Sequence, residues 1–407
     1  MTSRHERWAR LGRQLWQPPR AHGEQPRERV VGPLELFYDL VVVVLVAQAG
    51  HHFAEHLTWH GLGEFAVVFA LVWIAWLNGS LHHELHGHED ARGRSMFLLQ
   101  ILVLVPLGAS IPEAGGARGV EFAVSAGVLF TVLAVLWLLA SRGDSPEFRR
   151  SSTLFVTGTA VCAAVLAASA ALPADLRVLT WGLLVVAYLV GFAVMIGMAT
   201  PVQAVALSVT DALIERFGLF IIIVLGETVT AVVGGLSHEP TTALTLAVGL
   251  VAVVVGFGAW WTYFDFAGQR QPRPTRTSTA QWMLVHLPLT AAVAAMGAAM
   301  VGLVEHAHDS RTPAATAWVL CGGAALALCA TMVLAASLRV WRLDRGLYRP
   351  LARTCAAAVL CVAVGAARPA PLVLGLALVL LFAIPWGLAV AYRLSREEQS
   401  AAAGSGS

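Results

Sequence analysis

Of 407 residues, 57% are hydrophobic and only 13% charged, and the mean hydropathy is +0.70. A surface that faces water carries about 25% charged residues, so this composition excludes a soluble globular protein and a disordered regulator and describes a polytopic membrane protein. A net charge of +2 from 27 basic and 25 acidic residues excludes a nucleic-acid binder, and five cysteines inside apolar runs, without a CxxC pair, exclude a disulfide scaffold.

The chain opens with Arg4, Arg7, Arg10 and Arg13 beside Trp8, Leu11 and Leu15. That spacing suits either an interfacial amphipathic helix or a basic tail over residues 1–30, broken at Pro18-Pro19. It has no apolar h-region and is expected not to be a cleaved signal peptide.

A helix needs about 18–25 apolar residues to cross a bilayer. About twelve stretches qualify between residues 31 and 396: 34–50, 64–81, 96–112, 120–140, 153–172, 177–200, 213–236, 242–265, 281–304, 314–338, 351–367 and 370–394. The expected fold is therefore all-α, with residues 397–407 as a flexible tail. Cys162, Cys321, Cys329, Cys355 and Cys361 read as small buried hydrophobes in these spans.

Arginine placement orients the spans, because cytoplasmic loops collect basic residues. Every basic residue here is arginine. Twenty-two fall in alternate segments: Arg4 to Arg29, Arg92 and Arg94, Arg142 to Arg150, Arg270 to Arg276, Arg339 to Arg353, and Arg393 with Arg396. The intervening segments hold only Arg118, Arg177, Arg311 and Arg368, while Arg216 opens the seventh span. Both termini are then expected to be cytoplasmic.

Spans one and seven also share a pattern 180 residues apart. Glu35, Phe37, Val44 and Leu45 align with Glu215, Phe217, Val224 and Leu225. The offset suggests two six-helix halves related by an axis along the membrane normal, an arrangement known among transporters.

Ionisable residues inside the spans carry the functional argument, since central placement costs about 2.5–3.5 kcal/mol on insertion scales. Glu35 and Asp39 stand four apart, on one helix face. Glu215 and Arg216 lie near the cytoplasmic entrance of span seven, and Glu227 sits about 18 Å further along. Span eight ends in the aromatic belt Trp260-Trp261-Thr-Tyr263-Phe-Asp265, and span nine carries His286 before Pro288.

One reading joins these residues in a polar pathway between spans one, seven, eight and nine. Arg216 pairs with Asp39 or Glu35, Glu227 carries a proton, and Phe37, Tyr38, Phe217, Trp260, Trp261 and Tyr263 line a pocket. The other is structural: Arg216 clips helices together, and a neutral Glu227 hydrogen-bonds a neighbour. If the chain is an enzyme, Asp39 and Glu227 are the candidate acids.

Histidines gather after span one (His51, His52, His56, His60) and after span two (His82, His83, His86, His88). His52-Phe-Ala-Glu55-His56 formally matches the H-x-x-E-H zinc-peptidase pattern. The topology puts the two groups on opposite membrane faces and no third ligand follows, so interfacial polar residues are expected, with no metal and no cofactor. No Walker A motif, voltage-sensor arginine repeat or potassium filter is present.

The stretches Gly32-Pro-Leu-Glu-Leu-Phe-Tyr-Asp-Leu-Val and Glu215-Arg-Phe-Gly-Leu-Phe-Ile-Ile-Ile-Val-Leu-Gly-Glu-Thr-Val resemble the two signatures of the bacterial low temperature requirement A family. Glu55-His-Leu-Thr-Trp, Ile111-Pro-Glu-Ala, Trp260-Trp-Thr-Tyr-Phe-Asp and His286-Leu-Pro-Leu fit the same pattern. The resemblance implies a multi-spanning inner-membrane protein named for a cold-growth requirement, without a settled activity. It singles out Glu35, Phe37, Asp39, Glu215, Arg216, Phe217, Gly218, Gly226 and Glu227. Many members carry a His three residues before the second-signature Glu, where Ala212 stands here.

Two activities fit these residues. The first is a secondary transporter or permease for a small solute, proton-coupled through Glu227 and Asp39. The second is an intramembrane enzyme using a buried carboxylic acid on a lipid or prenyl substrate. The expected partners are the bilayer and that unidentified solute or lipid.

Overall fold

The computed structural model describes residues 16–21, 31–88, 90–343 and 353–404. The chain is 82% helical and, among the described residues, has no β-strand. Lipid offers no hydrogen bonds to a backbone, so apolar segments satisfy their N–H and C=O groups within helices.

The helices are α1 (Pro33–Glu55), α2 (Trp59–His86), α3 (Ala91–Ser110), α4 (Gly119–Ser141), α5 (Arg149–Ser169), α6 (Ala174–Gly197), the short α7 (Pro201–Ala206) and α8 (Asp211–His238). They continue with α9 (Ala243–Tyr263), running into a π turn at Phe264–Gly268, then α10 (Arg276–Glu305), α11 (Ala314–Ser337), the short α12 (Val340–Leu343), α13 (Thr354–Ala367) and α14 (Pro371–Gly404). Among the described residues, each of the twelve apolar stretches falls mostly on a helix. Ten are long and apolar enough to cross a membrane, while Thr354–Ala367 and Pro371–Gly387 are shorter apolar helices.

Two details depart from the sequence reading. The helix α14 continues to Gly404, through most of the expected tail, because Glu397, Glu398, Gln399 and Ala401 to Ala403 are strong helix formers. Cys355 is exposed, with its Sγ 3.6 Å from Met332 Sδ, whereas Cys162, Cys321 and Cys361 are buried. The arginine-rich N-terminal pattern falls on residues 1–15, outside the described residues.

The chain divides into two compact units. Unit 1 comprises residues 1–49, 64–216 and 274–280; unit 2 comprises 50–63, 217–273 and 281–407. The main division therefore falls inside α8, between Arg216 and Phe217.

In unit 1, α4 and α5 approach closely because Gly127 has no side chain. A Cβ there would lie 3.3 Å from the Ala167 nitrogen and 3.4 Å from the Ala163 carbonyl oxygen, both backbone atoms. Close approach through small residues is how helices pack in lipid. Gly127→Val is expected to lose about 1–3 kcal/mol, the usual penalty for overpacking, read as earlier denaturation of the purified protein in detergent.

The second histidine group packs against aromatic side chains. His83 and His86 are buried on α2, and the rings of His82 and His86 lie 5.3 and 5.5 Å from the Trp137 indole, edge to face. Trp137 in turn stacks on Phe155 at 4.1 Å. His82 and His86 pack on Trp137, and the end of α2 is met by residues 17–20. There Arg20 N–H donates to the His86 carbonyl (3.1 Å), Gln17 N–H to Asp90 Oδ2 (2.7 Å), and Arg92 Nη1 to the Gln17 carbonyl (3.0 Å).

In unit 2, α13 packs on α11 through another glycine. A Cβ at Gly365 would lie 3.0 Å from Cys321 Cβ and 3.3 Å from the Ala317 carbonyl oxygen.

Candidate functional site

The site begins at the first turn of α1. Pro33 starts the helix with its fixed φ, and the Gly32 N–H donates to Glu35 Oε2 at 2.9 Å, so this carboxylate caps its own helix. Asp39 follows one turn later on the same face, and both acids are buried. Phe37, expected in the pocket, is 52% exposed. At about 100° per residue it lies some 200° around the helix from either acid and faces outward. Its neighbour Tyr38 is fully buried.

Arg216, on the first turns of α8, brings these residues together. Its Nε donates to Asp39 Oδ1 (3.1 Å) and Oδ2 (3.0 Å), its Nη2 to Asp39 Oδ1 (2.8 Å), and its Nη1 to Glu35 Oε1 (3.4 Å). The guanidinium also sits over the Tyr38 ring, 5.7 Å from its centroid. Thr210 holds the start of α8 in place: it accepts from the Leu213 N–H (3.1 Å) and donates to Glu84 Oε1 on α2 (2.7 Å).

Two further members come from α2. Trp76 Nε1 donates to Asp39 Oδ1 at 2.7 Å, and His83 Nε2 lies 3.6 Å from Glu35 Oε1. Trp76 and His83 are seven apart, two helical turns, so they share a face. The two carboxylates are therefore held unequally. Asp39 is locked by a bidentate guanidinium and an indole, the tight geometry of an arginine fork. Glu35 meets Arg216 and His83 at longer range.

His83 also lines a cavity of about 40 Å³, bordered by Gly79, His82, His86 and Gln100 and closed by Gln17 and Pro19 of the N-terminal segment. At roughly 10–15 Å³ per water centre, this is room for about three waters. A Cβ on Gly79 would stand 2.9 Å from Gln100 Oε1 and 3.0 Å from Tyr38 Oη. Both atoms are buried and, among the described residues, neither has a hydrogen-bond partner. Buried polar atoms of this kind are satisfied by ordered water.

The remaining predicted residues do not join this cluster. Glu215 is exposed although Arg216 beside it is buried. Glu227 is half-buried in unit 2, eleven residues and about 16 Å beyond Arg216 along α8.

Also in unit 2, Phe217, Trp282, Tyr263 and His286 form a buried aromatic cluster, with the Phe217 and Trp282 rings 4.7 and 4.6 Å from His286. His286 Nδ1 lies 2.6 Å from the Trp282 carbonyl and its Nε2 lies 3.1 Å from Tyr263 Oη. Donation from Nδ1 and acceptance at Nε2 satisfy a neutral imidazole completely, which makes His286 a packed core histidine. Trp260 is half-buried, and Trp261, 37% exposed, donates its Nε1 to Asp265 Oδ2 at 2.9 Å.

The residues missed in the sequence are Trp76, Gly79 and Gln100, of which only Gln100 gave a signal, as a polar residue within an apolar helix; His83 was read only as one of the interfacial histidines.

A protein of Rhizobium meliloti (strain 1021) described as uncharacterized is 26% identical over 288 residues, covering 64% of this chain and 66% of the relative. This chain thus spans just under two thirds of that relative's length. The family model described as bacterial low temperature requirement A protein (LtrA) matches residues 30–388, which include α1, α8 and the whole Glu35–Asp39–Arg216 cluster. The chain is a multi-span membrane protein that belongs to the LtrA family.

Proposed function

We propose that this protein is a proton-coupled secondary transporter for a small solute, placed in the bacterial inner membrane with both termini in the cytoplasm. The observation that carries this reading is the position of Glu35. It lies between Arg216 at 3.4 Å and His83 at 3.6 Å, and His83 lines the polar cavity. A proton taken up from the cavity by His83 passes to Glu35. Protonated Glu35 no longer holds the Nη1 edge of Arg216, so the guanidinium rests on Asp39 alone and α8 feels the change. Chains of acids and histidines inside membranes serve proton movement in this way. The exchanging carboxyl is then Glu35, and Asp39 is the fixed counter-ion.

An enzyme acting on lipid would need a lateral groove with an acid in its wall. The apolar groove between α5 and α6, of about 240 Å³, is lined by Phe155, Cys162, Tyr188 and Phe192 and has no carboxylate among its lining residues.

The test is proton uptake by the protein in liposomes, followed with an entrapped pH dye, with a bacterial small-metabolite extract outside. The wild type is expected to acidify the lumen when the extract is added, and Glu35→Gln to fall to the level of empty liposomes. Uptake by Glu35→Gln equal to that of the wild type would overturn the proposal.

A further inference from the structure

The end of α1 and the residue that follows it carry a group that the cluster around Arg216 does not use. It reads His51-His-Phe-Ala-Glu-His56, and His52 and His56 stand one helical turn apart with Glu55 beside them. One donor atom from each of His52, Glu55 and His56 lies within 4.8 Å of the others, and the two imidazole centroids are 4.6 Å apart. We propose that these three side chains bind one divalent transition-metal ion, against the expectation from the sequence that the chain holds none.

Three further observations support a built site. His56 Nδ1 lies 3.2 Å from the His52 carbonyl oxygen. Donation across that contact leaves the lone pair on Nε2, the arrangement in which a histidine ligand is oriented by its second nitrogen. The backbone beneath is pinned: His56 N–H donates to the Phe53 carbonyl (3.1 Å), Thr58 N–H to the His56 carbonyl (2.7 Å), and Gly61 N–H to Thr58 Oγ1 (3.0 Å). Gly61 is required for this reversal, since a Cβ there would be 2.3 Å from the His56 carbonyl oxygen.

Charge supplies the last argument. The C-terminal end of a helix carries a partial negative charge, and an acid placed there is disfavoured. Glu55 is such an acid, the terminal residue of α1. A bound dication neutralises both the carboxylate and the helix end.

The donor set names the class of ion. Two imidazoles and one carboxylate suit zinc, nickel or copper rather than magnesium or calcium, which take oxygen ligands. Three protein ligands leave a coordination position open to water or a further donor. Glu55 and His56 are exposed and His52 half-buried, so the ion enters directly from solvent.

The experiment uses the full chain without a polyhistidine tag, stripped with a chelator and placed in lipid nanodiscs. Zinc is titrated by calorimetry, and cobalt(II) absorption reports the ligand geometry. One zinc per chain is expected. His56→Ala and His56→Gln should weaken binding at least tenfold and abolish the cobalt spectrum, while His238→Ala, an exposed histidine at the end of α8, should bind as the wild type does. Equal affinity and stoichiometry in wild type and His56→Ala would overturn the proposal and leave an adventitious ion only. The same conclusion would follow if His238→Ala weakened binding as much as His56→Ala.

Discussion

Arg216→Ala is expected to destabilise the protein by about 3–5 kcal/mol, the loss measured when one partner of a buried ion pair is removed. The reason is what stays behind. Asp39 and Glu35 remain buried, with Trp76 Nε1 and His83 still beside them but without the guanidinium that makes four of their contacts. Arg216→Lys should recover only part of the loss, because an ammonium cannot span both Asp39 oxygens and Glu35 as the fork does. Arg216→Leu combined with Asp39→Leu should be more stable than Arg216→Ala alone, since an apolar pair leaves one fewer stranded charge. Denaturation in detergent followed by tryptophan fluorescence would measure all three. Wild-type stability in Arg216→Ala would show that the pairing contributes nothing to the fold.

Gly79→Val is expected to reduce proton uptake at least tenfold while leaving the hydrogen bonds of Arg216 to Asp39 in place. The added side chain enters the 40 Å³ cavity where Gln100 Oε1 and Tyr38 Oη stand about 3 Å from the new Cβ position. The atoms it meets are side-chain ends rather than backbone, so the stability loss should stay within the roughly 1–3 kcal/mol of ordinary overpacking. The hydrated route to His83 is closed nonetheless. Gly191→Ala provides the contrast, because no atom lies within 4 Å of a Cβ at Gly191. Its uptake should match the wild type. Undiminished uptake by Gly79→Val would mean that protons reach Glu35 by another way.

The spans were legible because hydropathy and arginine placement are properties of whole segments. The pairing of Arg216 with the acids of α1 was legible for a related reason: a guanidinium inside an apolar helix needs a carboxylate, and few are available. The rest depended on helix rotation. Helix α1 is apolar on nearly every side, so periodicity does not say whether Phe37 or Tyr38 points inward; one residue is buried and its neighbour faces out. For the same reason nothing in the sequence sets Trp76 apart from the other aromatics of its span, although its indole N–H fixes Asp39. Glu227 drew attention by its depth along α8, a quantity that sequence supplies, while the cluster is decided by azimuth, which it does not.

The distance between Asp39 and Arg216 along the chain sets an order of events in synthesis. They are 177 residues apart, so at about 5–20 residues per second Asp39 leaves the ribosome roughly 10–35 s before its guanidinium exists. Trp76 follows Asp39 by only 37 residues and is the first of the two partners to be made. The indole is thus available to Asp39 well before the guanidinium, and the final charge pairing can form only once the start of α8 is translated.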